Sequence, residues 1–263
     1  MQIEKSGAEI RTIEDWYHHA PPKRGLCHWV AGRSALELAR AWCGERPAPT
    51  VPIELTELMK RHPDIVECKI QTATPEYQIR FDTFRGEPRN ADLVAIAEDR
   101  FGLIGISIEA KADEPFDLLV RDVLKNAVEK IARDKKTNSV ARVQNLAAAL
   151  LPPAIGSSAR LGDLRYQLLT GVAGALAYAR EIGAKRAIFI VHEFITDRTD
   201  DDKHCANNAD LNAFISRISR SEISQVQQGK LYGPFTVPGA PLFEEVPLLY
   251  IGKICRNLRR LET

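Results

Sequence analysis

The 263-residue chain has almost no net charge, because its 36 basic residues face 35 acidic ones and leave a formal charge of +1. This balance excludes a bulk electrostatic field that would draw the whole molecule to a polyanion or to a membrane surface. A nucleic-acid partner would therefore have to be met by a local basic patch.

The sequence also lacks clustered cysteines and long apolar runs. Its five cysteines are scattered, and none is spaced as Cys-x-x-Cys, which favours reduced thiols over a disulfide framework. The longest apolar-rich stretch, residues 168–179, is shorter than the ~20 residues that a membrane span needs. The first residues lack the apolar core of a signal peptide. We therefore expect a cytoplasmic protein with no membrane partner.

The pattern of apolar residues predicts a single α/β domain over residues 1–263. A hydrophobic content of 44% is ordinary for a globular chain long enough to bury a core. The alternation of helical periods with β-branched runs indicates a layered domain with a mixed sheet. Helices are predicted near residues 12–20, 35–43, 53–61, 116–133, 140–151, 164–182 and 211–218. Strands are predicted near residues 65–71, 77–81, 93–97, 103–108, 187–191 and 246–251.

The predicted strand after Gly102 ends in two charged residues, although buried strands rarely carry charge. Because side chains alternate along a strand, Glu109 and Lys111 share one face with the small residues Gly105 and Ser107. The isoleucines of the strand form the opposite, apolar face. The small residues therefore leave room for another group to approach the charged pair.

A turn with an even number of residues near position 100 would place Asp92 directly opposite Glu109. Opposed Cβ atoms lie ~4.5–5.5 Å apart, whereas an odd turn would pair Asp92 with a neighbour of Glu109. Two facing carboxylates repel unless a cation lies between them, and oxygen ligands suit Mg²⁺ or Mn²⁺. Lys111 at the rim could orient or deprotonate a water, or stabilise charge on a phosphate. The pattern thus predicts metal-assisted phosphodiester hydrolysis.

Asp92 followed by Glu109-Ala110-Lys111 resembles the motif of the PD-(D/E)XK nuclease superfamily, which has a restriction-endonuclease-like fold. The resemblance implies a core of helix, three-stranded antiparallel meander, helix and strand. It implies Asp92 and Glu109 as ligands of Mg²⁺ or Mn²⁺, Lys111 as the catalytic lysine, and a nucleic-acid substrate, with DNA favoured and a homodimer left open. The implied segments are a core at about 34–194, a helical insertion at 116–151, an N-terminal helical segment at 1–33 and a C-terminal elaboration with a strand at 195–263.

Two further side chains are candidates because members of that superfamily often carry an acid on the first helix and a glutamine on the later one. Glu37 is the candidate third metal ligand, but an ion pair with Arg33 or Arg40 explains it equally well. Gln167, in the first turn of the predicted helix at 164–182, is the candidate supporting residue. Its alternative role is a helix cap.

Basic residues near the helical insertion are candidates for contact with nucleic-acid phosphates. These are Lys135, Lys136 and Arg142, which could equally form a solvated helix face. The near-zero net charge keeps a second function class open, in which the same fold serves as a non-catalytic binding or partner module. A small-molecule enzyme using the same carboxylates is a third, and a salt bridge at a hairpin end is the non-functional alternative.

Overall fold

A mixed β-sheet organises the computed structural model of the chain, which describes residues 1–23, 25–44, 48–153 and 159–259. Eight strands lie in this described part, in the spatial order β2-β1-β3-β4-β5-β6-β8-β7. In chain order they are β1 (Gln2–Lys5), β2 (Ala8–Glu9), β3 (Lys69–Ile79), β4 (Arg89–Asp99), β5 (Gly102–Lys111), β6 (Arg186–Ile195), β7 (Lys230–Phe235) and β8 (Leu248–Asn257).

Helices cover both faces of this sheet, which gives a mixed α/β architecture. They are α1 (Ile13–His19), α2 (Ser34–Cys43), α3 (Ile53–Lys60), α4 (Val120–Ile131), α5 (Ser139–Leu150), α6 (Tyr166–Glu181) and α7 (Asp201–Ile218). Apolar residues of α2 and α3 pack on one face of the sheet, and those of α5, α6 and α7 pack on the other face. Burial on both sides explains why the central strands are nearly continuous apolar runs.

The centre of the sheet is an antiparallel meander of β3, β4 and β5, followed by parallel strands β6 and β8. The connection from β5 to β6 runs through α4, α5 and α6. The predicted insertion at 116–151 therefore corresponds to α4 and α5. The carboxyl ends of the three parallel strands meet at one edge, the edge at which functional side chains of α/β proteins commonly collect.

Several predicted boundaries were wrong. The predicted strands at 65–71 and 77–81 belong to one strand, β3, which stays paired with β4 along its length. The predicted helical segment at 1–33 also contains β1 and β2, two short strands at the sheet edge. Helix α7 begins well before the predicted helix at 211–218, because the Asp200 side chain accepts the backbone N–H of Lys203 and caps the helix.

Helix α6 lies unusually close to the sheet, and this closeness accounts for the small residues on β5. A Cβ added at Gly105 would lie 2.8 Å from the Ala179 Cα in α6. The room that Gly105 leaves is therefore filled by the helix itself. Because α6 packs so closely, its first turn contacts the charged end of β5.

Candidate active site

The turn of the β4–β5 hairpin has an even number of residues, as is required for Asp92 to lie opposite Glu109. Asp99 pairs with Gly102 across a two-residue turn, and the pairing continues without a shift along the hairpin. Asp92 then lies opposite Glu109, and its Oδ2 accepts the backbone N–H of Ala110 at 2.7 Å. Directly opposed residues share a face of the sheet, so both carboxylates lie on the face that α6 covers.

The Glu109 carboxylate is buried and bound on both oxygens. Its Oε1 accepts a hydrogen bond from Lys111 Nζ at 2.8 Å and another from Gln167 Nε2 at 2.5 Å. Its Oε2 contacts an Arg89 guanidinium nitrogen at 2.5 Å. The structure thus brings Asp92, Glu109, Lys111 and Gln167 together, and it adds a second cation, Arg89.

Gln167 is held in place at the start of α6 by a second contact. Its side-chain oxygen accepts the backbone N–H of Asp117 at 3.1 Å, which orients the amide nitrogen toward Glu109. Gln167 thus contacts Glu109, and the supporting role predicted for it stays a prediction. Arg165 is the N-cap residue of α6, and its side chain makes no capping hydrogen bond.

Arg89 was missed by the sequence reasoning. It begins β4, three residues before Asp92, and its side chain runs beneath α6 to reach Glu109. A guanidinium nitrogen also donates to Thr170 Oγ1 at 3.2 Å. A basic residue at a strand start has no distinctive sequence signal, because only the packing of α6 shows where its long side chain goes.

Burial and opposing charges shift the pKa values of the cluster in different directions. Burial and the neighbouring Glu109 raise the pKa of Asp92 well above its ordinary value. Burial also opposes ionisation of Glu109, but Lys111 and Arg89 outweigh it and lower the pKa of that carboxyl. For Lys111, the effect of burial is outweighed by Glu109 and Asp92, and its pKa is raised. Lys111 is therefore a cation at neutral pH.

Glu76 adds a third acidic side chain that the sequence did not reveal. It lies on β3 with a left-handed backbone, φ 49°, and burial raises its pKa to about 7, with the Glu109 charge adding to this effect. The Asn90 side-chain amide donates to its carboxylate, and Lys5 donates to its backbone carbonyl at 2.7 Å. Asp92 is also influenced by the Glu76 charge. The site therefore holds one acidic side chain from each of three neighbouring strands: Glu76 from β3, Asp92 from β4 and Glu109 from β5.

The donor set suits a hard divalent cation, with one condition. Among the described residues, no group of three or more His, Cys, Asp or Glu side chains is arranged to hold a metal ion. Mg²⁺, however, commonly keeps several waters and needs only one or two protein carboxylates. Asp92 and Glu109 supply these, on condition that Arg89 leaves the Oε2 atom of Glu109.

A cleft of about 230 Å³ lies next to this cluster, and Arg89 and Gln167 line it. Arg142, predicted to contact nucleic acid, also lines it, but its guanidinium binds Asp82 at 2.5 Å and 3.2 Å. Lys135, predicted for the same role, lies with its neighbour Lys136 in the exposed turn between α4 and α5. Arg80, Phe81, Asn90, Asp117, Tyr166 and Thr170 complete much of the lining.

Glu37 is not part of the cluster, and its prediction as a third metal ligand was wrong. It is buried, and its Oε1 accepts the N–H of Gly32 at 2.7 Å and a hydrogen bond from Arg40 at 2.8 Å. Its helix, α2, packs against the apolar face of β5, opposite to the face that carries Glu109. The alternative reading, an ion pair with Arg40, is the one that the structure shows.

Comparison with known proteins shows the family of the chain. A family model described as a domain of unknown function, DUF6946, matches residues 9–256, so the chain belongs to that family. The search of curated proteins and the search of solved structures gave no match. Within the ranges that the structure describes, no helix has the length and apolar character to cross a membrane.

Proposed function

We propose that the chain is a nuclease that uses Mg²⁺ or Mn²⁺ to hydrolyse phosphodiester bonds of nucleic acid, with DNA as the favoured substrate. The observation that carries this proposal is the register of the hairpin, which pairs Leu93 with Ile108 and so brings Asp92 next to Glu109, whose Oε1 accepts a hydrogen bond from Lys111. The raised pKa of Asp92 reflects the closeness of two carboxylates, and a cation bound between them would relieve that repulsion.

Each residue has a separate role in this proposal. Asp92 and Glu109 hold the cation, which when bound supplies Lewis-acid stabilisation to the phosphate. Lys111 is protonated at neutral pH, so it stabilises charge on the phosphate and does not remove a proton from water. Gln167 fixes the orientation of the Glu109 carboxylate through its 2.5 Å hydrogen bond.

The order of elements and the cleft support the same proposal. The sequence α3, β3-β4-β5 meander, α6 and parallel β6 has the order that the PD-(D/E)XK resemblance implies. Arg80 and Arg89 line the cleft and offer cations to a phosphodiester that enters beside Glu109. The lining as a whole is balanced, because its three arginines are offset by Asp82, Glu87 and Asp117.

One observation favours a second candidate function. Arg89 already compensates one oxygen of Glu109, and a carboxylate paired in this way is stable without a metal. The alternative is therefore a protein of the same fold that binds nucleic acid or another partner without cleaving it.

Metal-dependent cleavage of plasmid DNA, single-stranded DNA and RNA tests these candidates. We expect cleavage by the wild type with Mg²⁺ or Mn²⁺ and none with EDTA. Lys111→Ala and Asp92→Asn should each lose at least about 100-fold in rate, because each removes an electrostatic contribution to the transition state. Circular dichroism would show that both variants fold.

The matched control is Lys185→Ala, an exposed lysine paired with Glu245 on the surface, which should cleave like the wild type. Equal cleavage by Lys111→Ala and the wild type would contradict the proposal. A wild type that binds DNA but neither cleaves it nor binds Mn²⁺ would favour the non-catalytic alternative.

A further inference from the structure

Helix α6 is shaped to admit the Arg89 side chain to the site. A Cβ added at Gly174 would lie 2.9 Å from Arg89 Cδ and 3.2 Å from its Nε. The nearest atoms to a Cβ added at Gly171 belong instead to the Phe189 ring, at 2.7 Å. The side chain of Arg89 is only 7% exposed. The space that Arg89 occupies beneath α6 therefore exists because position 174 is a glycine.

The buried guanidinium is incompletely bonded where it lies. Its terminal nitrogens contact Glu109 and Thr170, but its Nε finds no hydrogen-bond partner among the described residues. A buried donor without a partner costs free energy. The position is therefore favoured by the charge of Glu109, and it becomes unfavourable once that charge is neutralised in another way.

The charges of the cluster make Arg89 and a divalent cation competitors. Asp92 and Glu109 are faced by Lys111 and Arg89, so a doubly charged ion entering with both in place would produce excess positive charge. Arg89 also occupies the Glu109 Oε2 atom that the ion needs. Like charges at such short range in a buried site repel strongly.

We propose that Arg89 is a tethered counter-ion, which a divalent cation displaces from Glu109 and which thereby sets the metal affinity of the site. The proposal rests on the metal site of the proposed function. The released guanidinium has a place to go, because Arg89 already lines the adjacent cleft with Gln167 and Thr170. There it becomes available to a phosphate.

Binding of Mn²⁺ alone, followed by calorimetry and by electron paramagnetic resonance at neutral pH, tests the proposal without measuring activity. Arg89→Met keeps the length of the aliphatic chain and removes the charge. We expect it to bind Mn²⁺ at least tenfold more tightly than the wild type. Arg121→Met is the control, because that arginine forms an exposed ion pair with Asp163 and lies outside the cleft, and it should leave the Mn²⁺ affinity unchanged.

Gly174→Ala provides a second variant that keeps Arg89. The new methyl group would press on Arg89 Cδ and weaken its contact with Glu109, so Mn²⁺ affinity should rise by a smaller factor. If Arg89→Met does not fold, Gly174→Ala alone tests whether Arg89 lowers the Mn²⁺ affinity of the site.

The outcomes separate this inference from the proposed function. Equal or weaker Mn²⁺ binding by both variants, with measurable binding by the wild type, overturns the role of Arg89 and leaves the metal site in place. A lack of Mn²⁺ binding by the wild type and by both variants overturns the metal site and this inference together.

Discussion

The two ends of the β4–β5 hairpin each bury charged side chains, but they are built differently. At the turn end, Asp99 binds both terminal nitrogens of Arg186, one of them at 2.7 Å. Its carboxylate also accepts the backbone N–H groups of Phe101 at 2.8 Å and Val66 at 3.3 Å. Burial alone would raise the pKa of Asp99, but these donors outweigh it and lower that pKa.

At the open end, carboxylates face each other as well as cations. The pKa of Asp92 is raised by burial and by Glu109, in the direction opposite to that of Asp99. A matched ion pair stabilises a fold, whereas acidic groups held close together are characteristic of a functional site. The difference teaches that burial and charge alone do not distinguish the two ends. The carboxylate of Asp99 is surrounded by donors, whereas at the open end a second carboxylate lies near the first and raises the pKa of Asp92, although Lys111 and Arg89 lower that of Glu109.

The largest expected effect is at the turn end. Arg186→Met leaves the buried Asp99 carboxylate without its partner and should lower the free energy of unfolding by about 3–5 kcal/mol. Urea denaturation measures it. The control is Arg121→Met, whose exposed partner is Asp163 and which should cost no more than about 1 kcal/mol. A comparably small loss for Arg186→Met would remove the distinction between the two ends.

A smaller effect is expected in the pH dependence of stability. Because the pKa of Glu76 in the folded protein is about 7, above its ordinary value of 4.5, folding favours its protonated form. Stability should therefore fall as pH rises from about 5 to 7, by ~1–2 kcal/mol after allowance for partial exposure. Asp99, with a lowered pKa, should contribute the reverse, a loss only as pH falls below the ordinary range of carboxyl groups.

Urea titrations at several pH values check this slope. Glu76→Gln should flatten it, whereas Glu98→Gln, an exposed glutamate on β4, should leave it unchanged. A stability that rises steadily between pH 5 and 7 in the wild type would contradict the raised pKa at the open end.

The comparison also predicts opposite results for two similar substitutions. Asp92→Asn removes repulsion from Glu109 and retains an oxygen for the Ala110 N–H, so stability at pH 7 should rise by about 1 kcal/mol. Asp99→Asn should instead lose about 2 kcal/mol or more, since it leaves Arg186 unpaired. Thermal and urea unfolding of both variants measure the difference. Equal losses would mean that the two ends are electrostatically alike.

The smallest change in stability is expected for charged residues that lie at neither end of the hairpin. Lys135→Ala and Lys136→Ala lie in an exposed turn and should change stability by less than about 0.5 kcal/mol. If they contact phosphates, each should weaken DNA binding and lower the slope of log affinity against log salt by about 1. Fluorescence anisotropy at several salt concentrations measures this, and an unchanged slope would remove them from the nucleic-acid interface.

Local rules were enough to predict much of the site. The alternation of side chains along a strand places Glu109 and Lys111 on one face, and an even turn places Asp92 opposite Glu109. Both inferences depend only on residues that are near each other along the hairpin. Arg89 could not be found in this way, since its reach depends on a helix more than 80 residues away in the chain. The wrong prediction for Glu37 has a similar cause, because sequence does not show which face of the sheet α2 covers.

The fold was predictable in its centre and poorly predictable at its edges. Strands β4, β5 and β6 have apolar runs, whereas β1, β2 and β7 are short strands at or next to the edges of the sheet. The long strand β3 was divided in two because Pro75 and Glu76 interrupt its pattern, although Glu76 accommodates the interruption with a positive φ. Pairing with β4 overrides the local signal there.

The narrow space beneath α6 also sets a rule for evolution within the family. Positions 89 and 174 share one volume, so their residues should change together and not independently. A relative with a residue larger than glycine at position 174 should carry a short side chain at position 89. The pairing of these positions across related sequences would then indicate which members retain the built-in cation and which have lost it.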